Sequence, residues 1–403
     1  MSTYPTDAVP GSAAAPDDLI QARAQALEES AWGERFHLVQ PRNLCFWVYV
    51  VLMAIGVHHI FTSFSPVIGY YGDALAVGIV VNGVLGLVWW LWFRHIDRWE
   101  HQPFSLIVTA FLWGGVAATF AMAIQGNAAV MNLYAKLFGQ EWASAWQAGL
   151  TAPFVEETSK FAGFLLLMGL SARLVRTVHD GLLLGAFIGL GFQVFEDTLY
   201  AVNAAFANFG TDPVGGAVGT AELRVATGFL SHPLYSALCC AGLVYLIGTA
   251  AQPRRVGRGI ALVAAGVLAH LTWDSVVAFS NSAVATFAVM LSSALIGLGM
   301  LWYAFKTAAP AQGRYVKAIL APEVSTGVVT DEEVEALLDR KSRKSYLHGA
   351  GGHGHDRQQR VRRKHTLEAI RDLVDELVHA KGAESTEVEH ARADIARLRA
   401  ATS

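Results

Sequence analysis

Five acids, two histidines and a lysine sit where this chain is otherwise apolar, and they are the residues able to do chemistry. Glu156, Glu157 and Lys160 lie in LTAPFVEETSKFAGFLLLMGLSA at 150–172. Glu196 and Asp197 follow in GFQVFEDTLY, His232 in FLSHPLYS, and His270 with Asp274 in AHLTWDSV. A charged side chain at a bilayer centre costs about 2.5–3.5 kcal/mol or more, so such groups persist where they have a task. Adjacent helical residues point about 100° apart, so Glu156 and Glu157 cannot both face one point. Glu156 shares a face with Lys160 at i+4, and Glu157 lies three positions from it. One glutamate can therefore face a site while the other pairs with Lys160 or supports the first. A buried carboxylate beside a lysine can be poised as a base. His270 and Asp274, at i and i+4, also share a face.

The elements that must position these groups are membrane helices. Of 403 residues, 53% are hydrophobic and only 16% charged, against about 25% in a globular chain. A net charge of −3 suggests no nucleic-acid partner. Apolar segments succeed one another at about 43–64, 74–93, 104–124, 151–172, 179–202, 225–249, 259–279 and 283–305. The fold class expected is all-α: a polytopic membrane protein of about eight transmembrane helices with a helical cytoplasmic C-terminal extension. Arg94, Arg98, Arg173, Arg176, Arg254, Arg255, Arg258, Lys306, Arg314 and Lys317 fall in alternate loops. The intervening loops hold only Lys136 in 125–150 and Arg224 near the end of 203–224. The positive-inside rule then puts both termini in the cytoplasm of a cell-membrane protein.

Counted from these segment ends at 1.5 Å per residue, the polar groups share a depth of roughly 8–15 Å below the outer surface. Independent packing defects would not share a depth, whereas one buried polar site would. A single buried histidine or asparagine is commonly a packing residue with a satisfied hydrogen bond, and His58, His59 and Asn82 are read that way. Cys45, Cys239 and Cys240 have no metal-type spacing and read as small apolar core residues.

Three parts are expected: a cytoplasmic lead at 1–42, a membrane-embedded domain at 43–305 and a charged helical tail at 306–403. Residues 17–31 can form a short surface helix. In the tail, Thr330 with Glu333 makes a capping box ahead of a helix at 331–345. Further helices are expected at 366–380 and 386–400, the second opened by Thr386 and Glu389. HGAGGHGHDRQQ at 348–359, with His348, His353 and His355, reads as a solvated linker rather than a metal site. The basic run RQQRVRRK at 357–364 is suited to anionic headgroups or to plain solvation.

Four of these motifs together resemble the PrsW-type intramembrane proteases, within the wider group that includes the CAAX-prenyl proteases. EETSK at 156–160 resembles their EExxK, and Phe192 to Glu196 their FxxxE, with Asp197 where Asn is commoner. His232 is similar to their isolated histidine, and His270 with Asp274 to their HxxxD/N. The resemblance spans about 45–305 and leaves the tail outside. It implies a membrane-embedded peptidase acting on membrane-associated proteins, anti-sigma factors among them. It also implies that Glu156 is the prime catalyst with Glu157 next, that His232 and His270 hold and activate water, and that Asp274 orients His270 or a substrate carbonyl. Glu196 then supports the site, with Lys160 and Asp197 beside it. Peptide hydrolysis needs an activated water, a proton donor for the leaving amine and stabilisation of the oxyanion. A glutamate and two histidines can supply these without metal, or Glu156, His232 and His270 can hold zinc. The expected partners are a membrane-protein substrate and the bilayer. Two other classes compete: a proton-coupled transporter, since such groups also make proton relays, and a non-catalytic membrane scaffold acting through its tail.

Overall fold

The computed structural model describes residues 15–97, 102–228, 231–279, 282–348 and 357–400. Arg98, residues 1–14 of the lead, 280–281 of the expected 280–282 loop, and 349–356 of the Gly/His-rich segment with His353 and His355 lie outside these. All regular elements among the described residues are helices. Chain contacts form two compact units, Glu34–Ala309 and Met1–Gly33 with Pro310–Ser403.

The larger unit holds α2 (Leu44–Ile96), α3 (Phe104–Phe138), α4 (Gln140–Leu170), α5 (Val178–Ala204), α6 (Pro213–Gly228), α7 (His232–Ile247), α8 (Val256–Asp274) and the first part of α9 (Ala283–Ser325). Helices α2, α3, α5, α8 and α9 are long and apolar enough to cross a membrane, and α6 with α7, bent by 42°, make six if counted as one span. The expected segments 43–64 and 74–93 are two arms of the 53-residue α2, broken at Tyr71, whose φ and ψ are non-helical. The first arm runs parallel to α3: the Tyr49 hydroxyl donates to Thr109 O, and Phe64 meets Phe120. The second runs antiparallel to α5, with Gly78 against Thr198 and Trp90 against Phe187. Arg94 and Asp97, at its far end, bond Gln102 just before α3 begins. The run therefore folds back on itself. The segment 151–172 lies in α4, which is long enough to span but also carries Glu141, Glu156, Glu157 and Lys160.

Glycine seams set the spacing of the central helices. Gly181, Gly185 and Gly189, four residues apart on α5, lie against backbone of Cys240, Ser236 and His232 on α7. A Cβ at any of them would overlap that backbone, so small residues here let the two helices approach closely. Gly266 on α8 lies against Tyr235 O, and Gly259 against Gly242 O on α7. These seams bring His232 beside α5 and His270 beside Tyr235. Residues Trp113–Ala123 of α3 form a π-helical stretch, a form frequent near functional sites. There Trp113 packs on Gly163 of α4 and donates Nε1–H to Ser159 O at 3.0 Å.

Several expected boundaries move. The expected loop 125–150 is helical apart from a turn at Gly139, whose φ of +84° suits only glycine. Glu156 therefore stands about 24 Å from the start of α4, which begins about three turns ahead of the expected span. The expected loop 203–224 contains most of α6. The sixth segment does not begin at 225: His232 is the first residue of α7, and Asp274 is the last of α8.

The smaller unit contains α1 (Pro16–Ser30), the end of α9, α10 (Asp331–Leu338), α11 (Arg340–His348), α12 (Arg357–His379) and α13 (Thr386–Ala400). Thr330 and Glu333 form the expected capping box. The cap of α13 lies one residue earlier than expected, because Ser385 Oγ accepts from Val388 N. Glu323 binds this unit together. Its Oε1 accepts from Arg23 of α1 at 2.7 Å and from Arg392 of α13 at 2.8 Å, and its Oε2 from Arg392 Nε at 2.9 Å.

Candidate active site

Four helices deliver the sequence-expected residues to one buried cluster. From α4, Glu156, Glu157 and Lys160 are 3%, 1% and 0% exposed, so none of the three faces lipid or bulk water. Glu157 is saturated. Its Oε1 accepts from Lys160 Nζ at 2.9 Å and meets His270 Nδ1 at 3.1 Å, while its Oε2 accepts from Ser236 Oγ at 3.2 Å. Glu156 is not saturated. Its Oε1 accepts from Asn127 Nδ2 at 2.9 Å, but its buried Oε2 has no hydrogen-bond partner among the described residues.

That oxygen looks at two imidazoles. His270 Nε2 is 3.5 Å away and His232 Nδ1 is 3.9 Å away, with Lys160 Nζ at 3.8 Å. The two rings stand edge to face at 5.0 Å, and Tyr235 stacks on His270 at 5.0 Å. Each far ring nitrogen has a carboxylate: His232 Nε2 lies 2.9 Å from Glu196 Oε2, and His270 Nδ1 lies 3.1 Å from Glu157. Lys160 Nζ sits 2.9 Å from His232 Nδ1. An ammonium only donates, so Nδ1 accepts and Nε2–H donates to Glu196. Asp274 Oδ2 lies 3.2 Å from His270 Nε2, on the side away from Glu157.

Glu156, His232 and His270 each offer a ligand atom within 4.8 Å of the others. Zinc bonds of about 2.0–2.2 Å put neighbouring tetrahedral ligands about 3.4 Å apart, so the 3.5 and 3.9 Å separations and the orphaned carboxylate oxygen suit such an ion. Glu196 and Glu157, on the far nitrogens, are in the places from which carboxylates orient metal-bound histidines. Among the described residues, Glu156, Glu157, Glu196, Asp197 and Asp274 cluster with two permanent cations, Lys160 and Arg224, a surplus of negative charge that protons or a divalent cation can offset.

Residues 102–302 match the family model described as PrsW family intramembrane metalloprotease. The chain belongs to that family. No curated protein and no solved structure matches it. As a PrsW-family chain it is a multi-pass membrane protease, and the carrier and scaffold readings fall away. The matched span begins at Gln102, just before α3, and takes in every residue of the cluster.

Sequence reasoning missed four neighbours of this cluster. Asn127 falls in a segment read as a loop, and Ser236 and Tyr235 are ordinary residues of an apolar helix. Arg224 had a signal, as the only basic residue in 203–224. His58, His59 and Asn82 do not join the cluster; the two rings of His58 and His59 pack on each other at 5.7 Å.

Proposed function

We propose that this PrsW-family protease is an endopeptidase that cuts membrane-associated proteins at Glu156, between His232 and His270. The observation that carries the reading is the buried Glu156 Oε2, unpartnered and flanked by two imidazole nitrogens. A water seated there loses a proton to Glu156 as its oxygen attacks the peptide carbonyl. The same proton then passes to the amine as the C–N bond breaks, leaving a carboxylic acid and an amine. His270, steered by Glu157 and Asp274, and Lys160 supply positive charge beside the forming oxyanion. Glu196 fixes His232, and Asp197 stands behind it.

In the alternative to that metal-free chemistry, Glu156, His232 and His270 would hold a zinc ion, with Glu156 a ligand rather than the base; when bound, the ion supplies Lewis-acid polarisation and an acidified water. Because one lone pair serves one partner, loading His232 Nδ1 requires Lys160 to rest on Glu157 alone. The remaining parts of the reading are eight membrane crossings, with the two arms of α2, α4 and the α6–α7 pair each counted, both termini cytoplasmic, and a site nearer the outer leaflet. The membrane domain is 43–305, between the 1–42 lead and the 306–403 tail. The substrate class is a membrane-associated protein, anti-sigma factors among them, and the kinship extends to the CAAX-prenyl proteases.

The test compares wild type with Glu156→Ala and His232→Ala on a library of single-span membrane proteins in proteoliposomes. Products from wild type alone support the reading, and identical product patterns remove it. A chelator arm, with zinc added back, reports on the metal: loss and recovery of cleavage make Glu156 a ligand, and indifference to both makes it the base of the metal-free chemistry.

A further inference from the structure

Arg224 lies outside every motif that carries the family resemblance, yet it enters the cluster from α6. Ala217 of α6 is fully buried in a seam of small residues with Ala74, Ala201 and Ala205, and Ala221, one turn on, is fully buried as well. Positions 217, 221 and 224 fall on one helical face, as do 197 and 201 on α5. The seam therefore runs directly into a polar clamp. Arg224 Nε donates to Asp197 Oδ1 at 2.5 Å, its Nη2 donates to Glu196 Oε2 at 3.2 Å, and its guanidinium lies over the Tyr200 ring at 4.7 Å. Glu196 Oε2 is the same atom that receives His232 Nε2–H.

We propose that Arg224 is a positioning residue for the peptidase reaction, holding Glu196 in place so that His232 turns Nδ1 toward Glu156. Glu196 and Asp197 are adjacent on their helix and point about 100° apart, so no single-point cation reaches both well. The planar guanidinium fork does, with one nitrogen for each carboxylate. The acid at 197 thereby has a chemical reason: it anchors the Nε side of the fork while Nη2 fixes Glu196. The orientation passes from Arg224 through Glu196 to His232, and Arg224 itself does not reach the Glu156 oxygen where water would sit.

The inference rests on the peptidase reading, and the experiment separates the two. Wild type, Arg224→Gln, Arg224→Lys and Asp197→Asn are prepared as full-length protein in proteoliposomes. Two quantities are read: turnover of one single-span substrate taken from the library, and zinc affinity by competition with a chromogenic chelator. Loss of a carboxylate that orients a metal-bound histidine costs about 10–100-fold in affinity or activity, and Arg224→Gln is expected to fall in that range in both kcat and zinc affinity, with KM little changed. Arg224→Lys, keeping the charge without the fork, recovers part of the loss, and Asp197→Asn shows a smaller one. A purely structural tie would lower the thermal midpoint and leave kcat and zinc affinity of the folded protein alone, which overturns the proposal. If Arg224→Gln does not fold, the other two variants decide: both at wild-type kcat and zinc affinity overturn it, and a graded loss supports it. A wild type that cleaves nothing overturns the peptidase reading, and the role assigned to Arg224 falls with it.

Discussion

Glu323 in the smaller unit and Glu156 in the larger one are both buried carboxylates, 2% and 3% exposed, and both sit among cations. Around Glu323 both oxygens are taken, by Arg23 and by a two-pronged Arg392. Around Glu156 one oxygen is taken by Asn127 and the other faces imidazole nitrogens without a bond. Glu157, one residue on, is as fully satisfied as Glu323. A saturated carboxylate ties helices together and has no capacity left for a substrate or a water. An open one is held in place at some cost in stability and keeps a lone pair for chemistry.

The comparison breaks most visibly in activity. Glu156→Gln is expected to lower cleavage roughly 10²–10⁴-fold, the usual weight of a general base, while its thermal midpoint stays near wild type. The same substitution at Glu323 should leave cleavage per folded molecule unchanged, and a comparable loss there would erase the distinction. In stability the order reverses. Glu323→Ala strands two arginines, and removing one partner of a buried pair costs about 3–5 kcal/mol, read as earlier denaturant unfolding of the smaller unit by hydrogen exchange in α1 and α13.

A smaller effect is expected at Ser236. Its hydroxyl is the partner of Glu157 Oε2, so Ser236→Ala removes one bond to a charged group, about 1.5–3 kcal/mol, and loosens Glu157 without touching Glu156. A several-fold fall in turnover with the cleavage site unchanged fits this; abolished turnover would move Ser236 into the reacting set. The smallest effect concerns pH. Burial pushes the Glu323 carboxyl up, but hydrogen bonds from Arg392 and Arg23 outweigh it and hold the group below the usual carboxylate range. A lowered folded value means the contribution is complete above the unfolded value of about 4.3 and fades as pH falls through the folded one. Acid unfolding of the smaller unit should therefore lose part of its pH dependence in Glu323→Gln, and an unchanged acid profile would contradict the saturated-carboxylate account.

Much of the site was legible in the sequence because charge in an apolar helix is costly and therefore conspicuous. Glu156, Glu157, Lys160, Glu196, His232, His270 and Asp274 all stand out on that ground, and all meet. Counting depth from segment ends was less sound. His232 begins its helix, Asp274 ends one, and α4 starts at Gln140, so the residues meet through tertiary packing rather than through equal counts from the ends. The device that brings them together was also in the sequence, as the four-residue glycine spacing of GLLLGAFIG at 181–189, but glycine spacing says nothing about which helix lies opposite. Asn127 and Ser236 could not be found, because a neutral polar residue in a helix costs too little to mark itself. Tyr71, where α2 folds back, falls in the gap between the expected segments 43–64 and 74–93, so that break was legible, although the helix runs up to it on both sides.

The most direct measurement sets the two adjacent glutamates against each other on one single-span substrate, as initial cleavage rates of Glu156→Gln and Glu157→Gln in folded protein. The account expects Glu156→Gln at background, and Glu157→Gln reduced about 10–100-fold but still cutting at the same bond, as suits a group that orients His270. Equal losses, or a Glu156→Gln protein more active than Glu157→Gln, would show that the open oxygen is not where the water is activated.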